Sequence, residues 1–152
     1  MTSERHPNQR PLSSLPPELR RTSVPASVRH WVRRELGAEV LRWRRLPGAS
    51  TSAVHRLALA VGTSAVLHRY VWPGLLEDEP EAPQREIDAL RFATRNDLPV
   101  PHVLAADVDG TSVGDDIPAL VMSLLPGRAV AAPDLHGLAA VAAGLHAVAH
   151  HT

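Results

Sequence analysis

The sequence predicts an α+β domain in which an antiparallel sheet of about five strands carries one inserted helix. Short runs of alternating apolar and polar residues, bounded by Gly, Pro and Ser clusters, recur between residues 39 and 125. One stripe of apolar residues at helical spacing interrupts these runs between residues 84 and 95. The length of 152 residues is enough for one domain of ordinary size.

The composition of the chain indicates its expected cellular location and excludes some kinds of site. The chain contains no cysteine, which excludes disulfides and thiolate metal sites. No apolar run approaches the length of a membrane span, so no membrane partner is expected. The first seven residues, Met1 to Pro7, lack the apolar segment of a secretory signal. We therefore expect a cytoplasmic location.

Charge is unevenly distributed although the net charge is zero. Residues 1–46 hold ten Arg and four Glu, whereas residues 47–152 hold six Arg and twelve Asp or Glu. All sixteen basic residues are arginine. The basic first part leaves nucleic-acid binding as an alternative, but a solvated arm followed by an Arg-rich edge strand explains it more simply.

A helix is predicted after a proline-rich arm. Residues 1–24 lack apolar periodicity, so we expect a disordered N-terminal arm. Pro25 suits the start of the helix, with Ser27 as a candidate cap, and Gly37 suits its end. Apolar residues lie between them at helical spacing, namely Val28, Trp31, Val32 and Leu36.

Three strands and a small-residue loop follow. Residues 39–46 alternate and present an Arg-rich face. Residues 54–60 and 64–71 form a predicted hairpin around a turn at 61–63. Residues 46–53 form a loop rich in small and hydroxyl side chains. The open backbone N–H groups of such a loop can face an anion such as phosphate.

The second half combines a helix with two further strands. The helix is predicted over Gln84 to Arg95, with Ile87, Leu90 and Ala93 on its apolar stripe and Glu86 bordering that stripe. Residues 102–106 are a predicted short strand. Residues 117–125 form the most apolar run, which is typical of a buried central strand. A final helix is predicted from Leu135 to about His150.

Acidic and histidine-containing segments were weighed as metal sites. The spacing of four aspartates lacks the oxygen ligands and closing Glu of a calcium loop, so they are interpreted as solvated turns: Asp107, Asp109, Asp115 and Asp116. His146 and His150 are four residues apart, but no carboxylate lies nearby in sequence. No protein metal site is predicted.

The predicted loop, strands and helices, taken in this order, resemble the small lobe of the aminoglycoside phosphotransferase family, which has a protein-kinase-like fold. Residues 46–52 resemble its nucleotide loop, and residues 66–70 resemble its third strand, where a Lys or Arg meets nucleotide phosphates. Residues 85–90 resemble its helix C, whose Glu pairs with that cation. The remaining matches are the proline-bracketed segment 98–104, the strand and hinge at 118–127, and the end of the first large-lobe helix at 145–148.

The resemblance implies a binding site for ATP. In a complete enzyme the loop and a His68/Arg69–Glu86 pair would hold the triphosphate, and the hinge would hold adenine. The implied nucleotide-binding residues are Gly48, Ser50, Thr51, Ser52, His68, Arg69, Glu86, Met122, Ser123 and Leu124. Register matches His68 to the position of the cation. Strand alternation puts Arg69 on the opposite face, unless a bulge or a one-residue slip brings it in.

The sequence also departs from the family's catalytic pattern. Phosphoryl transfer needs a base or positioning group and ligands for Mg²⁺. The family supplies these through a His-Gly-Asp loop with a downstream Asn, whereas this sequence has no such loop and only Asn8 and Asn96. We therefore assign no catalytic residue. The expected division is an arm at 1–24, a kinase-like small lobe at 25–127, and a linker with the first helix of a truncated large lobe at 128–152.

The predicted function is the nucleotide-binding half of an ATP-dependent small-molecule phosphotransferase. It would be inactive alone, and Mg²⁺ and the acceptor, an alcohol or amino sugar, would bind only with the large lobe. The alternative is a non-catalytic kinase-like interaction module. It would pair with another protein chain through the apolar face of its last helix, formed by Leu138, Val141, Leu145 and Val148.

Overall fold

The computed structural model describes residues 24–46 and 52–126, together with the helical positions Ala143 and Ala147. The elements are α1 (Ala26–Leu36), β1 (Val40–Arg45), β2 (Ala53–Leu59), β3 (Ser64–Arg69), α2 (Pro73–Asp78), α3 (Ala82–Arg95), β4 (Val103–Asp107) and β5 (Ala119–Ser123). No helix in the described part of the chain is long and apolar enough to cross a membrane.

Several predictions from the sequence concern residues that the structure does not describe. These are the arm up to residue 23, residues 47–51 of the loop, residue 127 at the end of the predicted lobe, the linker from residue 128, and the apolar face of the last helix. Val24, the last residue of the predicted arm, is buried in the core.

The five strands form one antiparallel sheet in the order β1-β2-β3-β5-β4. This confirms the predicted α+β class and the five-stranded antiparallel sheet. β5 lies between β3 and β4, and its first three residues, Ala119 to Val121, are buried. The apolar run was therefore correctly interpreted as an interior strand. Its regular part is shorter than predicted, because it begins after Pro118, which cannot donate a ladder hydrogen bond.

The two faces of the sheet have different neighbours. On one face Leu67 belongs to a core that also contains the α1 side chains Val28, Trp31 and Val32. On the opposite face His68 lies next to α3, whose Glu86 it contacts. Side chains alternate along a strand. The consecutive β3 residues Leu67 and His68 therefore point to the core face and to the α3 face, respectively.

Helix α1 differs from the prediction at its start and agrees at its end. Pro25 is the N-cap residue, and no side chain caps the helix. Ser27 lies inside the first turn, where it cannot serve as the predicted cap. Gly37 follows the last residue with φ of 65° and donates its N–H to the carbonyl of Arg33. This left-handed conformation is accessible to glycine at little cost.

The connection between β3 and α3 contains a helix that the sequence analysis missed. α2 covers Pro73–Asp78, a segment for which the sequence analysis predicted no helix. The prediction of one inserted helix is therefore wrong, because α2 and α3 both lie between β3 and β4. A six-residue helix is too short to show an apolar stripe, although Pro73 in its first turn is a favourable start.

Two aspartates interpreted as solvated turns have structural contacts instead. Asp107 is buried and accepts hydrogen bonds from the backbone N–H groups of Gly110 and Val113. Asp115 forms an ion pair with Arg69 and accepts from the N–H of Ile117. The segment does form turns, as its composition predicts. The carboxylates of Asp107 and Asp115, however, accept from donors that come together only in the folded structure.

Candidate functional site

A contact between β3 and α3 forms the centre of the candidate site. His68 Nδ1 lies 3.3 Å from Glu86 Oε1, although the two residues are 18 positions apart in sequence. Glu86 is the residue that borders the apolar stripe of α3, where Ile87 is buried. Neither pairing of β3 with its neighbours contains a register shift near His68. Strand alternation alone therefore directs His68 toward α3.

Tyr70 joins His68 and Glu86. Its hydroxyl donates a hydrogen bond to Glu86 Oε2, so the two carboxylate oxygens accept from different side chains. Its ring stacks on the imidazole of His68, with 4.3 Å between centroids and 22° between planes. The three side chains, His68, Tyr70 and Glu86, are called the β3–α3 cluster below. The sequence analysis did not assign Tyr70 to the site, although its position two residues after His68 indicates the same face.

Protonation in the β3–α3 cluster is set by these contacts. Burial acts to raise the pKa of Glu86, but hydrogen bonds from His68 and Tyr70 and the charge of His68 outweigh it, so the pKa is lowered. Burial, followed by the hydrogen bond and charge of Glu86, raises the pKa of Tyr70. Glu86 is therefore an ionised acceptor at neutral pH, and Tyr70 is a neutral donor.

The second ring nitrogen of His68 is the polar atom of the cluster that has no partner among the described residues. Nε2 is buried and has no hydrogen-bond partner among the described residues. Nδ1 is held by the Glu86 carboxylate, which only accepts, so Nδ1 carries a proton. Nε2 is consequently an acceptor in neutral His68 and a donor in the imidazolium, and the imidazolium can bind an anionic oxygen.

A strip of half-buried apolar side chains lies beside His68 on the same face. Val54 pairs with His68 across β2 and β3, and Val66 pairs with Met122 across β3 and β5. Val54, Val66 and Met122 are all half-buried. A partly exposed apolar surface next to a single polar group is typical of sites that hold a flat apolar ring and orient its polar part.

Arg69 lies away from the β3–α3 cluster. It is buried on the core face, where it pairs with Asp115 and donates a hydrogen bond to the carbonyl of Ile117 at 3.4 Å. The bulge or slip that would have brought it to Glu86 does not occur. The structure thus brings Glu86 together with His68 and not with Arg69.

The remaining predicted site residues are distributed as follows. Ser52 is buried at the start of β2, and Leu124 is half-buried after β5. Ser123 donates its N–H to the carbonyl of His102 at 2.9 Å, and its hydroxyl accepts from the N–H of His102 at 2.8 Å. Both groups of Ser123 are therefore engaged within the sheet. The predicted loop residues Gly48, Ser50 and Thr51 lie outside the described residues.

No group of three or more His, Asp or Glu side chains that could hold a metal ion occurs in residues 24–46 and 52–126. In the acidic loop at 107–116, Asp107 accepts from backbone N–H groups and Asp115 pairs with Arg69, as described above. The β3–α3 cluster contributes one carboxylate, and that carboxylate already accepts two hydrogen bonds.

The fold is similar to a crystal structure of a candidate aminoglycoside phosphotransferase from Ralstonia eutropha. The TM-score is 0.50 at 20% sequence identity, and the similarity covers 68% of this chain and 28% of that chain. The chain therefore spans less than a third of the length of that structure. No protein-family model and no curated protein sequence matches the chain. At this identity the comparison establishes a shared fold.

Proposed function

We propose that residues 25–127 are the nucleotide-binding lobe of an ATP-dependent small-molecule phosphotransferase, with a hinge after β5. One observation carries this proposal: the His68–Glu86 contact lies on the same sheet face as the apolar strip of Val54, Val66 and Met122. A ring nitrogen that can bind an anionic oxygen, beside a partly exposed apolar surface, provides the two features that a nucleotide requires, one for its phosphates and one for its base.

The available atoms of the β3–α3 cluster fit a nucleoside triphosphate. Nε2 of protonated His68 donates to a phosphate oxygen, Glu86 holds the imidazole through Nδ1, and Tyr70 fixes the carboxylate from the other side. In this proposal His68 takes the place that a Lys or Arg has in the family the sequence resembles. Bound ATP would supply the phosphoryl group for transfer.

Other predicted residues complete the proposed nucleotide site. The loop containing Gly48, Ser50 and Thr51, with Ser52 at its end, would donate backbone N–H groups to the phosphates. Met122 and Leu124 would contact adenine, and the backbone that follows Met122 would bind the base edge. Ser123 contributes through the position of its backbone, because its hydroxyl is held by His102.

In this proposal the acceptor, Mg²⁺ and the groups that position them would be held outside this sheet. Positioning of the acceptor and neutralisation of charge by Mg²⁺ dominate phosphoryl transfer, and the acceptor in this proposal is a small alcohol or an amino sugar. We therefore expect the 152-residue polypeptide to bind nucleotide without transferring phosphate. Acceptor-dependent ATP consumption by the purified polypeptide would contradict that expectation.

Nucleotide titration of the polypeptide tests the assignment of His68. A fluorescent ATP analogue is titrated into the unchanged chain and into His68→Phe, which keeps an aromatic ring against Tyr70 but removes both ring nitrogens. Loss of one charge-assisted hydrogen bond should weaken affinity by about tenfold or more. His102→Phe is the matched control, because His102 is an exposed histidine whose side chain makes no contact with the β3–α3 cluster. Equal affinities of the unchanged chain and His68→Phe would refute the role of His68.

A further inference from the structure

A cavity of about 190 Å³ lies between α1 and the start of β1. It is lined by Ala26, Arg29, His30, Arg33, Glu39 and Val40, and is called the α1–β1 pocket below. α1 packs on the core face of the sheet, whereas the β3–α3 cluster occupies the opposite face. The α1–β1 pocket is therefore separate from the proposed nucleotide site and needs an explanation of its own.

Three of the four side chains that α1 contributes to this pocket are basic, namely Arg29, His30 and Arg33. Arg29 and Arg33 are four residues apart and His30 and Arg33 are three apart, so they line one side of the helix. Glu39 is the one carboxylate in the lining, and it forms no ion pair with another described residue. With His30 neutral, two arginines and one glutamate leave a charge of +1, and protonation of His30 adds another.

Arg29 is held in place and has an unused donor. Its guanidinium carbon lies 4.8 Å from the ring centroid of Trp43 on β1, which is a cation–π geometry. Its Nε is buried and has no hydrogen-bond partner among the described residues. A buried donor without an acceptor is costly, and ligands or ordered waters normally satisfy such groups. The contact with Trp43 thus orients the guanidinium of Arg29, and its Nε–H lacks a hydrogen-bond acceptor among the described residues.

We infer that the α1–β1 pocket binds a small oxyanion that itself carries a proton, with hydrogen phosphate as its simplest form. Arg29 and Arg33 provide donors and positive charge for the anionic oxygens. Glu39 only accepts hydrogen bonds and repels a fully deprotonated anion, so it favours a ligand that presents an O–H. Near neutral pH, part of the phosphate or phosphate monoester in solution carries a proton and can donate this hydrogen bond. Sulfate carries no proton at this pH and cannot.

Calorimetric titration of the full 152-residue chain with inorganic phosphate, at constant ionic strength, tests the site directly. A direct titration is needed because phosphate stabilises folded proteins without binding to a specific site. Arg33→Gln should weaken phosphate binding by about tenfold or more, since it removes a charge-assisted contact. Arg34→Gln is the matched control, because it removes the same charge from the neighbouring position, where Arg34 contacts the exposed Glu35 and the carbonyl of Ser112. Its affinity should equal that of the unchanged chain.

Sulfate and Glu39→Gln test the donor requirement. The unchanged chain should bind sulfate at least about tenfold more weakly than phosphate, and Glu39→Gln should bring the two affinities close together. Absence of saturable phosphate binding would overturn the site, as would equal weakening in Arg33→Gln and Arg34→Gln. Equal affinities of the unchanged chain for phosphate and sulfate would overturn the ligand class that Glu39 implies.

Discussion

His68 and Arg69 are neighbours in sequence, and their side chains lie on opposite faces of the sheet. His68 contacts Glu86 beside α3, whereas Arg69 is 2% exposed and pairs with Asp115 on the core face. The histidine, with one ring nitrogen free of partners in the described structure, is therefore the residue to which we assign phosphate binding in the proposed site. Arg69, the permanent cation, attaches the 107–117 loop to β3 through Asp115. Arg69 therefore contributes to the stability of the fold.

Removing the acidic partner of Arg69 should destabilise the fold strongly. Asp115→Ala leaves the buried guanidinium of Arg69 without its counter-charge. Because the Asp115 side chain is 26% exposed, the cost should lie below that of fully buried pairs, at about 2 kcal/mol. The free energy of unfolding, measured by urea denaturation, should fall by that amount. Asp78→Ala, at the exposed end of α2, is the control and should change it by less than about 0.5 kcal/mol. Similar values for the two variants would show that the pair contributes little.

Replacement of His68 by lysine should strengthen nucleotide binding. His68→Lys places a permanent positive charge beside Glu86, on the face where we propose that the phosphates bind. Affinity for a fluorescent ATP analogue at pH 8 should rise by about tenfold, because the lysine ammonium is charged at this pH. His102→Lys adds the same charge at an exposed site after α3 and should have little effect. Unchanged or weaker binding by His68→Lys would argue against phosphate contact at this position.

Local patterns predicted much of this fold because the relevant signals lie close together in sequence. Alternation located β1 to β3, and Gly37 correctly bounded the helix before it. The same alternation separated His68 from Arg69, which is why the composition of the β3–α3 cluster was largely predictable. Its prediction needed only the period of a strand and the position of Glu86 next to a buried residue of α3.

Contacts that depend on tertiary packing could not be predicted in the same way. Asp107 and Asp115 stand in a segment of Asp and Gly residues, which has the composition of an exposed turn. Their contacts with Gly110 and Val113 of the folded loop, and with Arg69 on β3, hold Asp107 buried and Asp115 partly buried. The placement of β5 between β3 and β4 likewise depends on pairing between strands that are distant in sequence. No local pattern encodes either relationship.

Gly110 should tolerate no side chain. Its φ is +78°, and a Cβ at this position would lie 2.1 Å from the backbone nitrogen of Ile117. Gly110→Ala should therefore lower the free energy of unfolding by more than about 2 kcal/mol, since it adds a backbone clash to the strain of the left-handed conformation. Gly114→Ala is the matched control: its φ is +92°, but a Cβ would meet nothing within 4 Å. It should cost only the conformational part, about 1–2 kcal/mol, and equal losses in urea denaturation would exclude the clash.

Alkaline pH should isolate the contribution of Tyr70 to stability. Burial and the adjacent Glu86 carboxylate raise its pKa above the ordinary value of 10.0. The stabilisation is therefore complete below pH 10 and is lost as pH rises from there toward the folded-state pKa, because the unfolded chain releases the phenolic proton first. The chain has one tyrosine, no cysteine and no lysine, so no other side chain titrates in this range.

The expected loss is about 1.4 kcal/mol of unfolding free energy per pH unit above pH 10, the limit for one proton. Urea midpoints measured between pH 8 and pH 11 give this slope. Tyr70→Phe should be less stable at pH 8, because Glu86 loses a hydrogen bond, but its stability should be nearly independent of pH over the same interval. An equally steep decline in Tyr70→Phe would mean that Tyr70 is not held as a protonated donor to Glu86, and the β3–α3 cluster would then lack the contact that fixes its carboxylate.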